Sequence, residues 1–260
     1  SRGDHKMNII MNIAVDCLGT IILLLMFFNF GSRDIRKRET DDILFQTMLL
    51  VNIGLLAADA FMWILDGTSF LGARALHTLV TAVYYLLQPT MCMIWILYCE
   101  YKLTENRQRM RKLLPICLLP WAVDTILIIV SCFTPFFFYI DENNRYSRQK
   151  YYLVFMLLCL VYYFYGIVLD IRARKAERKS KIKEITDFLL FYPVFPIIGG
   201  VIQFMFFGIS IAWVGSVLSL LIIYFNLQNA KITSDPLTGI NNRRRFESFM
   251  EYKLRNRRGK

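Results

Sequence analysis

Residues 8–30 read NIIMNIAVDCLGTIILLLMFFNF, an apolar run that contains one acidic side chain, Asp16, and no basic side chain. A helix of about 20 mainly apolar residues is long enough to cross the hydrocarbon core of a bilayer. No small-residue cleavage site follows the run, which distinguishes it from a cleaved signal peptide. The sequence therefore predicts a membrane span here.

The rest of the chain repeats this pattern. Hydrophobic residues make up 56% of the sequence and aromatic residues 15%, and the mean hydropathy is +0.41. These values are too apolar for an ordinary soluble domain. Runs long enough to span a bilayer occupy residues 8–30, 43–65, 79–101, 113–135, 151–171, 188–208 and 211–229. We therefore expect an all-α membrane protein, a bundle of seven transmembrane helices.

Basic residues in the connecting loops predict the orientation of the bundle. The loops after the first, third and fifth runs contain 4, 5 and 7 Lys and Arg residues, whereas those after the second, fourth and sixth contain 1, 3 and none. Because Lys and Arg near a span resist translocation, the N-terminus is predicted outside and the C-terminus in the cytoplasm. Solvated loops facing anionic lipid account for the net charge of +11, so the charge does not indicate a nucleic-acid partner.

A polar motif follows the last run. Residues 235–246 read DPLTGINNRRRF, in which Asp235 before Pro236 is typical of a turn or cap and Gly239 permits a positive backbone angle. The motif resembles the opening of a GGDEF domain, the catalytic module of bacterial diguanylate cyclases, with Ile240 where Leu is commoner. The membrane part similarly resembles the seven-helix sensor regions that precede such outputs. The resemblance implies a sensor protein in the bacterial inner (cytoplasmic) membrane.

The resemblance also implies a domain organisation and an activity. Residues 1–7 are expected to be a leader or an addition before the natural start, 8–229 the sensor domain, 230–234 a helical stalk and 235–260 the beginning of a GGDEF-like domain. The full-length protein would be a diguanylate cyclase that makes cyclic di-GMP from two GTP molecules at a homodimer interface, using magnesium. The Gly-Gly-Asp/Glu-Glu-Phe loop and its metal-binding carboxylates do not occur in this sequence, so we expect no enzymatic activity and no cofactor in this chain.

Polar residues within the runs recur at spacings of three, four and seven, which places them on one face of each helix. An aspartate that faces lipid costs about 2.5 to 3.5 kcal/mol, so the aspartates are expected inside. With the orientation above, the polar and aromatic residues converge on a cavity in the outer half of the bundle. The predicted ligand-binding residues are Asp16, Asp59, Trp63, Tyr84, Tyr85, Gln88, Asp124, Gln203 and Trp213. Acidic groups beside aromatic rings, with no Lys or Arg in the outer halves of the runs, favour a cationic ligand.

Simpler readings remain open for these residues. Polar groups in membrane helices often only join neighbouring helices, with hydrogen bonds worth about 0.6 kcal/mol. Asp170, next to Arg172 and Arg174, is expected to form a solvated surface pair. Two prolines and two glycines within the sixth run predict a kinked helix (Pro193, Pro196, Gly199 and Gly200). The six cysteines all fall inside predicted spans, where thiols usually act as small hydrophobes, so neither a disulfide nor a metal site is expected.

Three classes of function fit these patterns. The first is a receptor domain that binds an extracellular small molecule and regulates a cytoplasmic diguanylate cyclase. The second is a transporter or channel, which the aspartates within the membrane favour. The third is a passive membrane anchor that only dimerises the cyclase, although the polar residues inside the bundle speak against it.

Overall fold

A computed structural model describes residues 2–31, 40–176, 189, 191–206 and 209–232 of the chain. These ranges contain seven helices and one two-stranded hairpin. In chain order the elements are α1 (Arg2–Gly31), α2 (Thr40–Leu65), α3 (Ala73–Thr104), α4 (Arg107–Phe133), β1 (Phe138–Ile140), β2 (Tyr146–Arg148), α5 (Tyr152–Ala176), α6 (Val194–Met205) and α7 (Ala212–Ile232). The motif at 235–246 lies outside the described residues.

Six of the described helices are long and apolar enough to cross a membrane. Their spans are Met7–Phe30, Thr40–Leu65, Ala73–Thr104, Arg107–Phe133, Tyr152–Arg172 and Ala212–Asn229. The predicted class, an all-helical multi-pass membrane protein, is therefore confirmed. The predicted sixth span, 188–208, is described only in part, and its helix α6 has 12 residues. Twelve residues reach about 18 Å, short of a hydrocarbon core of about 30 Å, so the count of seven spans stays a prediction.

The inside of the bundle carries the polar faces that the spacing predicted. Buried polar side chains occur on all seven described helices, among them Asn12, Asp16, Asn52, Asp59, Thr81, Asp124, Asp170, Gln203 and Ser216. Large apolar side chains such as Leu25, Leu119 and Phe133 are exposed instead. This inside-out distribution is expected for a protein whose surface is covered by lipid.

Glycines set two of the closest helix contacts. A Cβ atom on Gly166 of α5 would lie 2.2 Å from the Trp95 ring of α3, so the glycine lets α5 pack on this buried ring. A Cβ on Gly199 of α6 would lie 2.9 Å from the Ala212 Cα, and one on Gly215 of α7 would lie 2.6 Å from the Phe195 carbonyl oxygen. The two glycines thus sit at opposite ends of one antiparallel contact between α6 and α7.

The kink expected in the sixth run takes the form of a turn before α6. Residues 192 and 193 form this turn, and Pro193 directly precedes the helix. Pro196 occupies the first helical turn, where a backbone N–H has no intrahelical partner. The prolines therefore begin α6 and leave its interior unbroken.

The hairpin covers one end of the bundle, called here the hairpin end. Strands β1 and β2 are antiparallel, with Tyr139 opposite Ser147, in a segment that the sequence indicated only as a loop. Asn144 has a left-handed backbone (φ 58°), and its amide donates hydrogen bonds to the carbonyl oxygens of Leu65 and Thr68 at 2.9 and 3.1 Å. His77 Nδ1 lies 3.1 Å from Asn144 Oδ1. These contacts hold the hairpin against the α2–α3 connection.

Near the opposite end, one expectation is wrong. Asp170 is 1% exposed and lies near the buried Cys99 of α3, whereas Arg172 is exposed. The rotation of α5 turns Asp170 toward α3, so its side chain is buried and not exposed to solvent. The ion pairs described at this end join Lys102 to Asp41 and Arg109 to Glu100.

Candidate functional site

A cavity of about 180 Å³ opens among the helix ends and the hairpin; we call it the hairpin-end cavity. Its lining comes from α1, α2, α3, β2, α5, α6 and the α6–α7 turn. The charged residues of the lining are Asp59, Asp66 and Arg148, and the aromatic ones are Trp63, Tyr84, Tyr85, Tyr146 and Tyr152. The lining of the cavity thus combines two carboxylates, one guanidinium group, one tryptophan and four tyrosines.

Of the nine residues predicted to bind a ligand, five line this cavity: Asp59, Trp63, Tyr84, Tyr85 and Gln203. Asp16 is buried and interacts electrostatically with Asp59 from beneath the lining. Gln88 and Trp213 line a second cavity. Asp124 is 0% exposed, lines neither of these cavities and lies near Cys159 and Tyr162 of α5. The structure therefore brings most of the predicted set together and leaves Asp124 apart from it.

Ser210 joins three elements at the base of the cavity, where it contacts Asp59. The Ser210 hydroxyl, in the turn before α7, donates a hydrogen bond to Asp59 Oδ2. The Ser210 backbone N–H donates to Asn12 Oδ1 of α1 at 3.2 Å. The carboxylate on α2 is thus connected to α1 and to the beginning of α7 by one serine.

Arg148 on β2 is the main functional candidate that the sequence reasoning missed. Its Nη1 donates to the Gln203 carbonyl oxygen at 2.8 Å, and its guanidinium carbon lies 4.9 Å from the centre of the Tyr152 ring. It is also near enough to Asp59 to interact with it electrostatically. The outer halves of the predicted spans contain no Lys or Arg, and Arg148 reaches the cavity from a loop that folds back as a hairpin.

The neighbours of Arg148 complete the lining of the hairpin-end cavity on the side of the hairpin. The Tyr146 backbone N–H donates to Asp66 Oδ1 at 2.8 Å, and the hydroxyls of Tyr146 and Tyr85 share a hydrogen bond of 2.8 Å. Burial raises the pKa of the Tyr146 hydroxyl above its ordinary value, an effect that the Tyr85 hydrogen bond and the charge of Arg148 partly oppose. Tyr146 therefore stays a neutral hydrogen-bonding group at physiological pH.

A second cavity of about 110 Å³ lies among α3, α5, α6 and α7; we call it the inner cavity. It shares Tyr84, Tyr152 and Gln203 with the hairpin-end cavity. The shared residues are held in place, because Tyr84 accepts a hydrogen bond from Trp213 Nε1 at 3.2 Å. Gln203 Oε1 accepts hydrogen bonds from the backbone N–H groups of residues 211 and 212. These three side chains therefore border both cavities.

No group of three or more His, Cys, Asp and Glu side chains that could hold a metal ion occurs in the described part of the chain. The fold and the site together define a multi-pass helical membrane protein with a polar, aromatic cavity at one end of its bundle. Comparison with known protein families finds no matching family model, and comparison with curated proteins finds no matching sequence.

Proposed function

We propose that this chain is the transmembrane sensor region of a bacterial GGDEF-domain protein. In this proposal it crosses the inner membrane seven times with its N-terminus outside and its C-terminus in the cytoplasm. It binds an extracellular small molecule in the hairpin-end cavity and regulates a diguanylate cyclase. The GGDEF-like pattern at 235–246 supports the output, and the count of basic loop residues supports the orientation.

The observation that carries the sensor role is the contact between Asp59 and Ser210. Asp59 lines the cavity, and Ser210 lies two residues before α7 begins. Helix α7 is helical to Ile232, three residues before the GGDEF-like motif. A ligand that displaces or holds the Asp59 carboxylate therefore acts on the helix that leads to the output. It does so provided that it binds the bundle with the Asp59–Ser210 contact and the bundle without that contact with different affinity.

The charges of the lining favour a cationic ligand. Asp59 and Asp66 line the cavity, while Arg148 is the one Lys or Arg in the described lining. Carboxylates and tyrosine ring faces both attract an organic cation. A cavity of about 180 Å³ is slightly larger than the engineered site of about 150 Å³ that binds benzene, so the ligand is small.

The full-length protein would act as a homodimer, because the family chemistry needs two GGDEF modules and magnesium. The lipid bilayer is the other partner. A passive anchor would require neither the cavity nor its charged lining, and a transporter would move the bound cation across the membrane. Flux measurements in liposomes distinguish transport from sensing.

Binding of propylamine to the purified chain in lipid nanodiscs tests the site. Saturable binding of propylamine, with weaker binding of the neutral propanol, is expected. Asp59→Asn should weaken propylamine binding at least tenfold, because it removes the counter-charge. Asp170→Asn, a change of another buried aspartate far along α5, is the matched control and should bind like the wild type. Equal binding to Asp59→Asn and the wild type would exclude this site.

A further inference from the structure

We infer that the ligand is an amphipathic amine whose ammonium group occupies the hairpin-end cavity and whose apolar group of about four carbons occupies the inner cavity. This inference rests on the proposed function, because it places the ligand in the same site. It adds the chemical class of the ligand and a second binding region that the ligand fills.

The inner cavity has the character of a site for an apolar group. Apolar side chains dominate its lining, among them Phe155, Met156, Leu160, Ile197 and Val201. An apolar cavity is a poor site for water, which needs two to four polar partners, and a good one for hydrocarbon. Its volume of about 110 Å³ is about three quarters of the engineered cavity of about 150 Å³ that binds benzene, with its six carbons, which corresponds to about four carbon atoms.

The two cavities are adjacent, which is what a ligand with two different ends requires. Tyr84, Tyr152 and Gln203 line both of them. The carboxylates lie on the hairpin side of these residues, and the apolar lining lies on the other side. A ligand that extends past Tyr84 and Tyr152 keeps its charge beside Asp59 and places its carbon chain among α3, α5, α6 and α7.

The inner cavity also reaches the helices that lead to the output. Trp213 and Ala212, in the first turn of α7, belong to its lining together with Pro196 of α6. A ligand that fills both cavities therefore contacts α2 through Asp59 and α7 through Trp213. A short amine contacts α2 through Asp59 and does not reach Trp213 of α7.

Gly200 offers a way to fill the inner cavity selectively. It lines this cavity, and a Cβ added to it would meet only the flexible end of Met156, at 4.0 Å. The neighbouring Gly199 is unsuitable, since its Cβ would lie 2.9 Å from backbone atoms of α7. Gly200→Leu should occupy the space of the apolar group, and Gly200→Ala is the matched control that leaves most of it open.

The experiment measures binding of straight-chain amines from propylamine to octylamine to the full chain in nanodiscs by titration calorimetry. For the wild type, affinity should rise about fourfold for each added methylene group that is buried, and the rise should end at about heptylamine. Gly200→Leu should bind propylamine like the wild type and lose the rise with length. Gly200→Ala should keep most of the rise.

A second variant keeps the test independent of how Gly200→Leu folds. Ile197→Ala enlarges the inner cavity, so the rise should continue for one or two more carbons. Alcohols of the same lengths, measured beside the amines, correct for partition into lipid.

The inference and the proposed site fail in different ways. Affinity that does not depend on chain length, or that rises equally in the alcohols or in Gly200→Leu, would overturn the inference. If propylamine binding is still weakened by Asp59→Asn in that case, the proposed site stands without it. Propylamine binding that is unchanged by Asp59→Asn would overturn both the proposed site and the inference.

Discussion

The hydroxyl of Ser210 donates a hydrogen bond to Oδ2 of Asp59, which joins the turn before α7 directly to the carboxylate that lines the hairpin-end cavity. The same serine holds Asn12 of α1 through its backbone N–H. One residue thus connects the hairpin-end cavity, the first helix and the helix that leads toward the C-terminal motif.

Replacing Ser210 tests this connection. Ser210→Ala should leave amine affinity within about threefold of the wild type, while the full-length protein loses most of its response of cyclic di-GMP synthesis to the amine. It should also lower the stability of the bundle by about 1 to 3 kcal/mol, because a buried hydrogen bond to a charged group is lost. Ser219→Ala, which removes a buried hydroxyl bonded to the Tyr192 carbonyl oxygen, is the matched control. A normal response in Ser210→Ala would show that the signal takes another route.

Asp59 and Asp124 should differ sharply in binding, although the sequence pattern made them equal candidates. Asp59→Asn should weaken amine binding at least tenfold, whereas Asp124→Asn should leave it unchanged within about twofold, because Asp124 lines neither cavity. Titration calorimetry on both variants measures this difference. Loss of binding in Asp124→Asn, with its thermal unfolding unchanged, would mean that the site extends between α4 and α5.

The contrast between these aspartates shows what the sequence can and cannot supply. Lipid penalises polar groups so strongly that spacing alone correctly predicted which side of each helix faces inward. Spacing does not say which neighbouring helix an inward residue meets, so it grouped Asp124 with Asp59, whereas Asp124 lies near Cys159 and Tyr162 of α5. Arg148 was missed for another reason, since its position depends on a hairpin that Asn144 holds against Leu65 and Thr68, which lie 79 and 76 residues earlier in the sequence.

The contact between Gly166 and Trp95 should be important for stability. Gly166→Ala places a methyl group where the Trp95 ring now lies, so we expect a loss of about 1 to 3 kcal/mol, the usual cost of overpacking a core. Gly200→Ala, in open space on α6, should change stability little. Thermal unfolding of the two variants in the same detergent makes the comparison. Equal stability of both would mean that α5 does not pack on the Trp95 ring as described.

The orientation can be tested on intact cells with cysteine-reactive probes that do not cross membranes. Cysteines placed at Ser69 or Asn143, both exposed at the hairpin end, should be labelled. One placed at Ser180, which lies outside the described residues, should be protected until the cells are opened. The parent protein with its native cysteines provides the background. Labelling at Ser180 in intact cells would reverse the orientation and remove the extracellular site.

The most direct test of the sensor role is the rate of cyclic di-GMP synthesis by the full-length protein in proteoliposomes while propylamine and heptylamine are titrated at the hairpin end. We predict a saturable change of the rate, at lower concentrations of heptylamine than of propylamine. The change should shift to at least tenfold higher concentrations in Asp59→Asn and remain as in the wild type in Asp124→Asn. A rate that does not respond to either amine, or that responds equally in Asp59→Asn and the wild type, would contradict the account.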